Sequence, residues 1–138
     1  MKKEAAENTA FAALTTQRRA LAANQIASPD GSVRWRIVNG RQVERSMDAG
    51  AQWTAVNINS PDPLTAAAAP SAIVCWIVGA RGAVYLTTDG VRFIRLPFTE
   101  MIDLTSVFAT DALTASVSSA DGRSWRTTDQ GKTWSTTR

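Results

Sequence analysis

A chain of 138 residues, 44% of them hydrophobic and 20% charged, has room for one folded domain and is too apolar to be disordered. It holds no histidine and one cysteine, Cys75, which excludes an intramolecular disulfide, Cys/His zinc sites, and Ser-His or Cys-His nucleophilic chemistry. The formal charge is +3 with an isoelectric point near 9.6, yet Lys2, Lys3, Arg18 and Arg19 fall in the first twenty residues and Arg138 is terminal, so no basic stripe for nucleic acid is expected.

The first segment, residues 1–23, reads as a short helical arm or linker, because "EAAENTAFAALTTQRRALAAN" is rich in alanine and other helix formers and lacks Pro and Gly. Phe11, Leu14, Arg18 and Leu21 make a heptad-like stripe that Arg18 breaks, and a dimerising helix is the alternative reading. Glu4, Glu7 and Asn8 interrupt any signal-peptide core, and no apolar run nears the ~20 residues of a membrane span. The chain as given is expected to be soluble, without direct membrane insertion.

From residue 24 onward the sequence repeats three times, in units 24–63, 64–103 and 104–138. Asp48, Asp89 and Asp129 stand 41 and 40 residues apart, Trp53, Phe93 and Trp134 stand 40 and 41 apart, and Arg45, Leu86 and Arg126 keep the same step. Each unit reads as four short strands; in the second these are "LTAAAA", "IVCWIVG", "AVYLTTD" and "RFIRLPF", separated by turn formers. The turns "ARGA" and "ADGR" are hairpin-like. A period near 40 with four strands per period predicts an all-β fold of three four-stranded antiparallel propeller blades, with a β-sandwich as the alternative. Cys75, within "AIVCWIV", is expected to be an inert buried thiol.

The third strand of each unit runs into the fourth through a corner: Ser46, Asp48, Gly50 and Trp53; Thr87, Asp89, Gly90 and Phe93; Thr127, Asp129, Gly131 and Trp134. An Asp in a tight turn accepts backbone N–H groups, the hydroxyl two residues earlier bonds across the turn, and the glycine takes positive φ. The aromatic residue is expected to fold back over its own corner.

These corners resemble Asp-boxes, the bacterial neuraminidase repeats of sialidases, sortilin-like receptors and photosystem II stability/assembly factor-like proteins, whose pattern is Ser/Thr-x-Asp-x-Gly-x-Thr-Trp. "TTDQGKTW" matches throughout, "SMDAGAQW" lacks only the Thr, and "TTDGVRF" is one residue shorter with Phe93 for Trp. The phrases "CWIVGARGAVYLTTDG" and "ADGRSWRTTDQGKTW" look most like the photosystem II assembly factor-like propellers. Some bacterial members carry such a region behind an anti-sigma-factor-like zinc finger and a membrane span, which implies a periplasmic or extracytoplasmic setting within a larger anchored protein.

A sialidase would need an arginine triad, a Tyr–Glu pair and an acidic Asp. Tyr85, the only tyrosine, shares its repeat position with Glu44 and Trp125 and reads as an ordinary strand residue. No Asp-x-Asp-x-Asp-Gly calcium loop occurs, and "SADGRSW" at 119–125 mimics the corner motif at a hairpin turn. The reading is therefore a non-enzymatic propeller-type binding or scaffolding module with no cofactor, no metal and no catalytic residues. A lectin-like carbohydrate binder is the alternative, and a sialidase-like hydrolase is the remote one. Closed propellers carry four or more blades, so two chains are expected to complete a six-bladed ring. Trp35 and Trp76, with Arg36, Arg81 and Arg126, are the candidate ligand-binding residues, for a protein or a glycan; core packing between blades is the competing role of the two tryptophans.

Overall fold

A computed structural model describes residues 25–58 and 60–137. The arm expected over 1–23 lies outside the described residues. Among the described residues, twelve strands form three four-stranded sheets, each an antiparallel meander in chain order. Sheet 1 holds β1 (Gln25–Ala27), β2 (Arg34–Val38), β3 (Gln42–Ser46) and β4 (Thr54–Val56). Sheet 2 holds β5 (Leu64–Ala68), β6 (Cys75–Gly79), β7 (Val84–Thr87) and β8 (Ile94–Arg95). Sheet 3 holds β9 (Leu104–Ala109), β10 (Ala115–Ser119), β11 (Ser124–Thr127) and β12 (Ser135–Thr136).

The fourth strands are shorter than the sequence predicts. "RFIRLPF" yields only Ile94–Arg95, because the corner uses Thr87 to Phe93 and Pro97 brings no N–H to a ladder. One further backbone bond, Leu96 N–H to Val84 O at 2.8 Å, extends the pairing. The turn "ARGA" closes as a 3-10 turn, Ala80–Gly82, with Arg81 and Gly82 both at positive φ.

The sheets stack face to face. Register places Trp35, Ile37 and Val43 on one face of sheet 1, and the first of two buried clusters joins Trp35 and Val43 to Cys75, Ile77 and Tyr85 of sheet 2. The opposite face of sheet 2, with Trp76, Val78, Val84 and Leu86, meets Leu104, Ala115, Val117 and Trp125 of sheet 3 in the second cluster. Sheet 2 is thus the common layer, buried on both faces like an inner blade. The inner edge is formed by the first strands, where the Thr65 hydroxyl of β5 donates to Leu104 O of β9 at 2.5 Å and Leu64 N–H donates to Gly40 O. Cys75 is fully buried in the first cluster, and desolvation pushes its thiol up, well above the ordinary range.

Candidate functional site: blade corners, flanks and an inter-blade crevice

Each corner is a closed hydrogen-bond circuit. In the first, the Ser46 hydroxyl donates to Asp48 Oδ1 (2.7 Å) and accepts Gly50 N–H (2.8 Å), while Gln52 N–H reaches the same Asp48 oxygen (2.9 Å). In the third, Thr127 and Asp129 repeat these bonds with Gly131 and Thr133, and the Thr133 hydroxyl adds a bond to Asp129 Oδ2 at 2.6 Å. Ala49–Gly50 and Gln130–Gly131 both take two successive left-handed residues to make this turn. The middle corner lacks one residue and spends only Gly90 on positive φ; Asp89 then collects Val91 and Arg92 N–H, each at 2.9 Å, and Thr87 bonds Asp89 and Gly90 as its counterparts do. The shortening changes which amides are bound and leaves the acceptor logic intact.

The aromatic residues depart from expectation in an ordered way. Trp53 folds over its own corner, its indole N–H donating to Gly50 O at 3.1 Å. Phe93 instead meets Trp35 edge-on at 5.6 Å in sheet 1, and Trp134 meets Trp76 at 6.4 Å and Phe98 at 5.2 Å, its N–H on Pro97 O. A corner aromatic therefore clamps the preceding blade, and only the first blade, with no described blade before it, turns the ring back on itself.

These bonds hold the carboxylates down. Asp89, bonded by the amides of Arg92 and Val91 and by Thr87, falls to about 2, and Asp129, bonded by the hydroxyl and amide of Thr133 and by Thr127, also falls to about 2. Asp48 is lowered in the same way by Gln52 N–H and Ser46. A folded-state value below the usual 3.8 means stability that is complete above that value and is lost as pH falls toward 2. The thermal midpoint of the native chain is expected to drop more steeply between pH 4 and 2 than that of Asp129→Asn, whose amide oxygen accepts but does not titrate. Superimposable pH profiles would contradict this assignment. The decoy turn at 119–125 works alike on a smaller scale, Asp121 accepting from the Ser119 hydroxyl and from Arg123 N–H, and it joins β10 to β11 as a hairpin.

The candidate ligand residues do not converge. Trp35 and Trp76, 1% and 0% exposed, are core between blades and present no ring face to a sugar. Arg36 lies on the outer flank of sheet 1, paired with Glu44 and stacked 4.1 Å over Trp53. Arg81 sits in the β6–β7 turn and faces Asp62 at 3.4 Å. Arg126 is exposed on the outer flank of sheet 3. No group of three or more Cys, Asp and Glu able to hold a metal occurs among the described residues.

Both flanks carry polar residues at positions that are apolar between blades. On sheet 3 the outward face shows Ser116, Ser118 and Ser124, where sheet 2 has Trp76, Val78 and Val84 at the same repeat positions. Phe108, 68% exposed, is the large apolar residue of that face. On sheet 1 the outward pair Arg36–Glu44 stands where sheets 2 and 3 have Ile77–Tyr85 and Val117–Trp125.

Sequence reasoning passed over the crevice between sheets 1 and 2. Arg45, Met47, Thr54, Val56, Gly90 and Val91 are among the residues lining a cavity of about 480 Å³ there. Its counterpart between sheets 2 and 3, lined by Leu86, Thr88, Ile94 and Leu96, measures about 140 Å³. The signal was present as the Arg45/Leu86 exchange within the repeat.

Three stacked antiparallel meanders of four strands, with inner first strands and clamping corners, define an arc of β-propeller blades. No family model and no curated protein matches the sequence. Solved structures do: YCF48 bound to D1 peptide (TM-score 0.69, 19% identity, 81% of this chain and 37% of that one) and YCF48 from Cyanidioschyzon merolae (0.69, 15%, 81% and 38%). An ancestral GH74 enzyme is similar as well (0.65, 17%, 81% and 17%). The chain spans well under half the length of each of these proteins, and the likeness establishes the propeller fold.

Proposed function

We propose that the chain is a non-enzymatic binding or scaffolding module whose ligand is a protein segment. The observation that carries this reading is the internal use of the Asp corners: Asp48, Asp89 and Asp129, the carboxylates that recur in all three blades, are each bonded by the amides of their own turn. Tyr85, the one tyrosine that a sialidase-type mechanism could use as nucleophile, is 3% exposed and its hydroxyl faces Arg95 at 3.4 Å, with no carboxylate partner among the described residues. The resemblance to a propeller solved with a bound peptide supports a peptide as the class of ligand. Burial of Trp35 and Trp76 speaks against the lectin-like alternative.

Ring closure by a second copy would seat the Arg36–Glu44 pair of one chain against the hydroxyl-lined face of sheet 3 of the other. Such an interface desolvates charges and hydroxyls where the internal ones bury Trp76 and Val78, so the adopted reading is an arc whose flanks are capped by polar residues. Light scattering on the 14.8 kDa chain separates the two: a monomer at micromolar concentration fits the capped arc, and a stable dimer restores the six-bladed ring. For the ligand, peptide and glycan arrays are probed in parallel, the D1 peptide among the former. Saturable peptide binding with blank glycans is expected. Glycan binding alone, or turnover of a fluorogenic sialoside abolished by Tyr85→Phe, would overturn the reading.

A further inference from the structure

We infer that the crevice between sheets 1 and 2 is a binding site for a carboxylate carried on a short apolar group, with Arg45 as the residue that receives the carboxylate. The inference stands independently of the peptide-binding reading.

One repeat position, that of Arg45 and Leu86, has two solutions in this chain. In sheet 2 it holds Leu86, 4% exposed, which completes the second core cluster. Leu96 closes the space beside it, lying so near Gly131 that a Cβ there would meet Leu96 Cδ1 at 2.7 Å. The crevice shrinks accordingly. In sheet 1 the position holds Arg45, with the shorter Val56 in the place of Leu96, and the crevice is more than three times larger.

Arg45 is held in a set pose rather than left to wave in solvent. Its guanidinium lies 5.1 Å over Trp35, one Nη donates to Ala72 O at 2.9 Å, and it rests against Gly90, where a Cβ would come within 2.8 Å of Cζ. Only glycine leaves that seat open. Nε is buried with no hydrogen-bond partner, and no carboxylate lies within ion-pair distance of the group among the described residues. A partly buried cation without a counter-charge is costly where leucine is the alternative, and its fork of donors fits a carboxylate.

The walls define the remainder of the ligand. Met47 and Val91, 69% and 65% exposed, stand at the crevice together with Val56, and the Gln52 and Asn57 amides add donors. Asp48 also borders the crevice, but its Oδ1 is committed to Ser46 and Gln52 N–H. An apolar tail of a few carbons would cover the Met47 and Val91 side chains while its carboxylate meets Arg45.

The test is a titration of the full chain with hexanoate, followed by amide and methyl NMR, with 1-hexanol as the uncharged control. Two hexapeptides of one sequence, ending in leucine with a free or an amidated terminus, separate a free acid from a chain end as the source. Hexanoate is expected to shift Met47 and Val91 saturably and to bind about 10-fold or more tightly than hexanol. Arg45→Leu, which copies sheet 2, should keep or raise the thermal midpoint while removing that preference, and Arg45→Gln serves should the leucine variant repack. Equal binding of hexanoate and hexanol, or undiminished hexanoate binding by both variants, would overturn the site. A peptide array that stays blank while hexanoate binds would instead sink the peptide reading and leave this site standing.

Discussion

Trp76→Ala is expected to remove about 3–5 kcal/mol of stability, the range for truncating a large buried aromatic, out of the roughly 5–15 kcal/mol that holds a domain of this kind together. Trp76 is wholly buried at the centre of the second cluster, among Val78, Leu86, Leu104 and Val117. Its indole N–H donates to Asp111 O at 3.0 Å, and its ring meets the edge of Trp134, the corner aromatic of the next blade. Truncation therefore opens a cavity, orphans a carbonyl and frees the clamp that ties sheet 3 to sheet 2. Guanidinium titration followed by circular dichroism measures the loss, with Trp53→Ala as the comparison, because that ring rests on the outer flank against Arg36 and closes no interface. A loss below about 1 kcal/mol for Trp76→Ala would show that the sheets do not depend on each other through this ring.

The contrast between these two tryptophans marks how far the sequence could be read. The 40-residue period, the strand alternation and the corner motif are local signals, so three four-stranded units and the turns between them were legible. The corner circuit was legible for the same reason: hydroxyl, carboxylate and glycine all lie within a few residues. What the corner aromatics touch was not, because Phe93 and Trp134 reach a different blade and the motif says nothing of what precedes it. The helical arm read from residues 1–23 lies outside the described residues. At the flanks the substitutions Ser116 for Trp76 and Arg36 for Ile77 were visible in the repeat, yet their meaning needs the knowledge of which sheet faces are covered. Arg45 was hidden for a related reason: an arginine in a strand is expected to point outward, and register against Trp35 turns it inward.

Gly82→Ala should destabilise the chain far more than Gly40→Ala, although both glycines sit at positive φ in hairpin turns. At Gly40 nothing lies within 4 Å of the space a Cβ would fill, so alanine there meets only the left-handed backbone penalty of about 1–2 kcal/mol. At Gly82 the added atom would stand 2.2 Å from Glu100 O, a backbone atom that no rotamer can move, and 3.4 Å from Phe98. Gly82 N–H also donates to Ile102 O at 2.7 Å, so the turn and the linker from β8 to β9 are bound at the point of the clash. Relief would require the linker to lift, and the linker carries Phe98, whose ring packs on Trp125 and Trp134. Overpacking adds about 1–3 kcal/mol to the backbone penalty, giving roughly 2–5 kcal/mol in all. Urea midpoints of the two variants measure the difference, and indole fluorescence should report disturbed packing around Trp125 and Trp134 in Gly82→Ala alone. Equal losses in the two variants would mean that the linker yields freely and that the spacing of sheets 2 and 3 is set elsewhere.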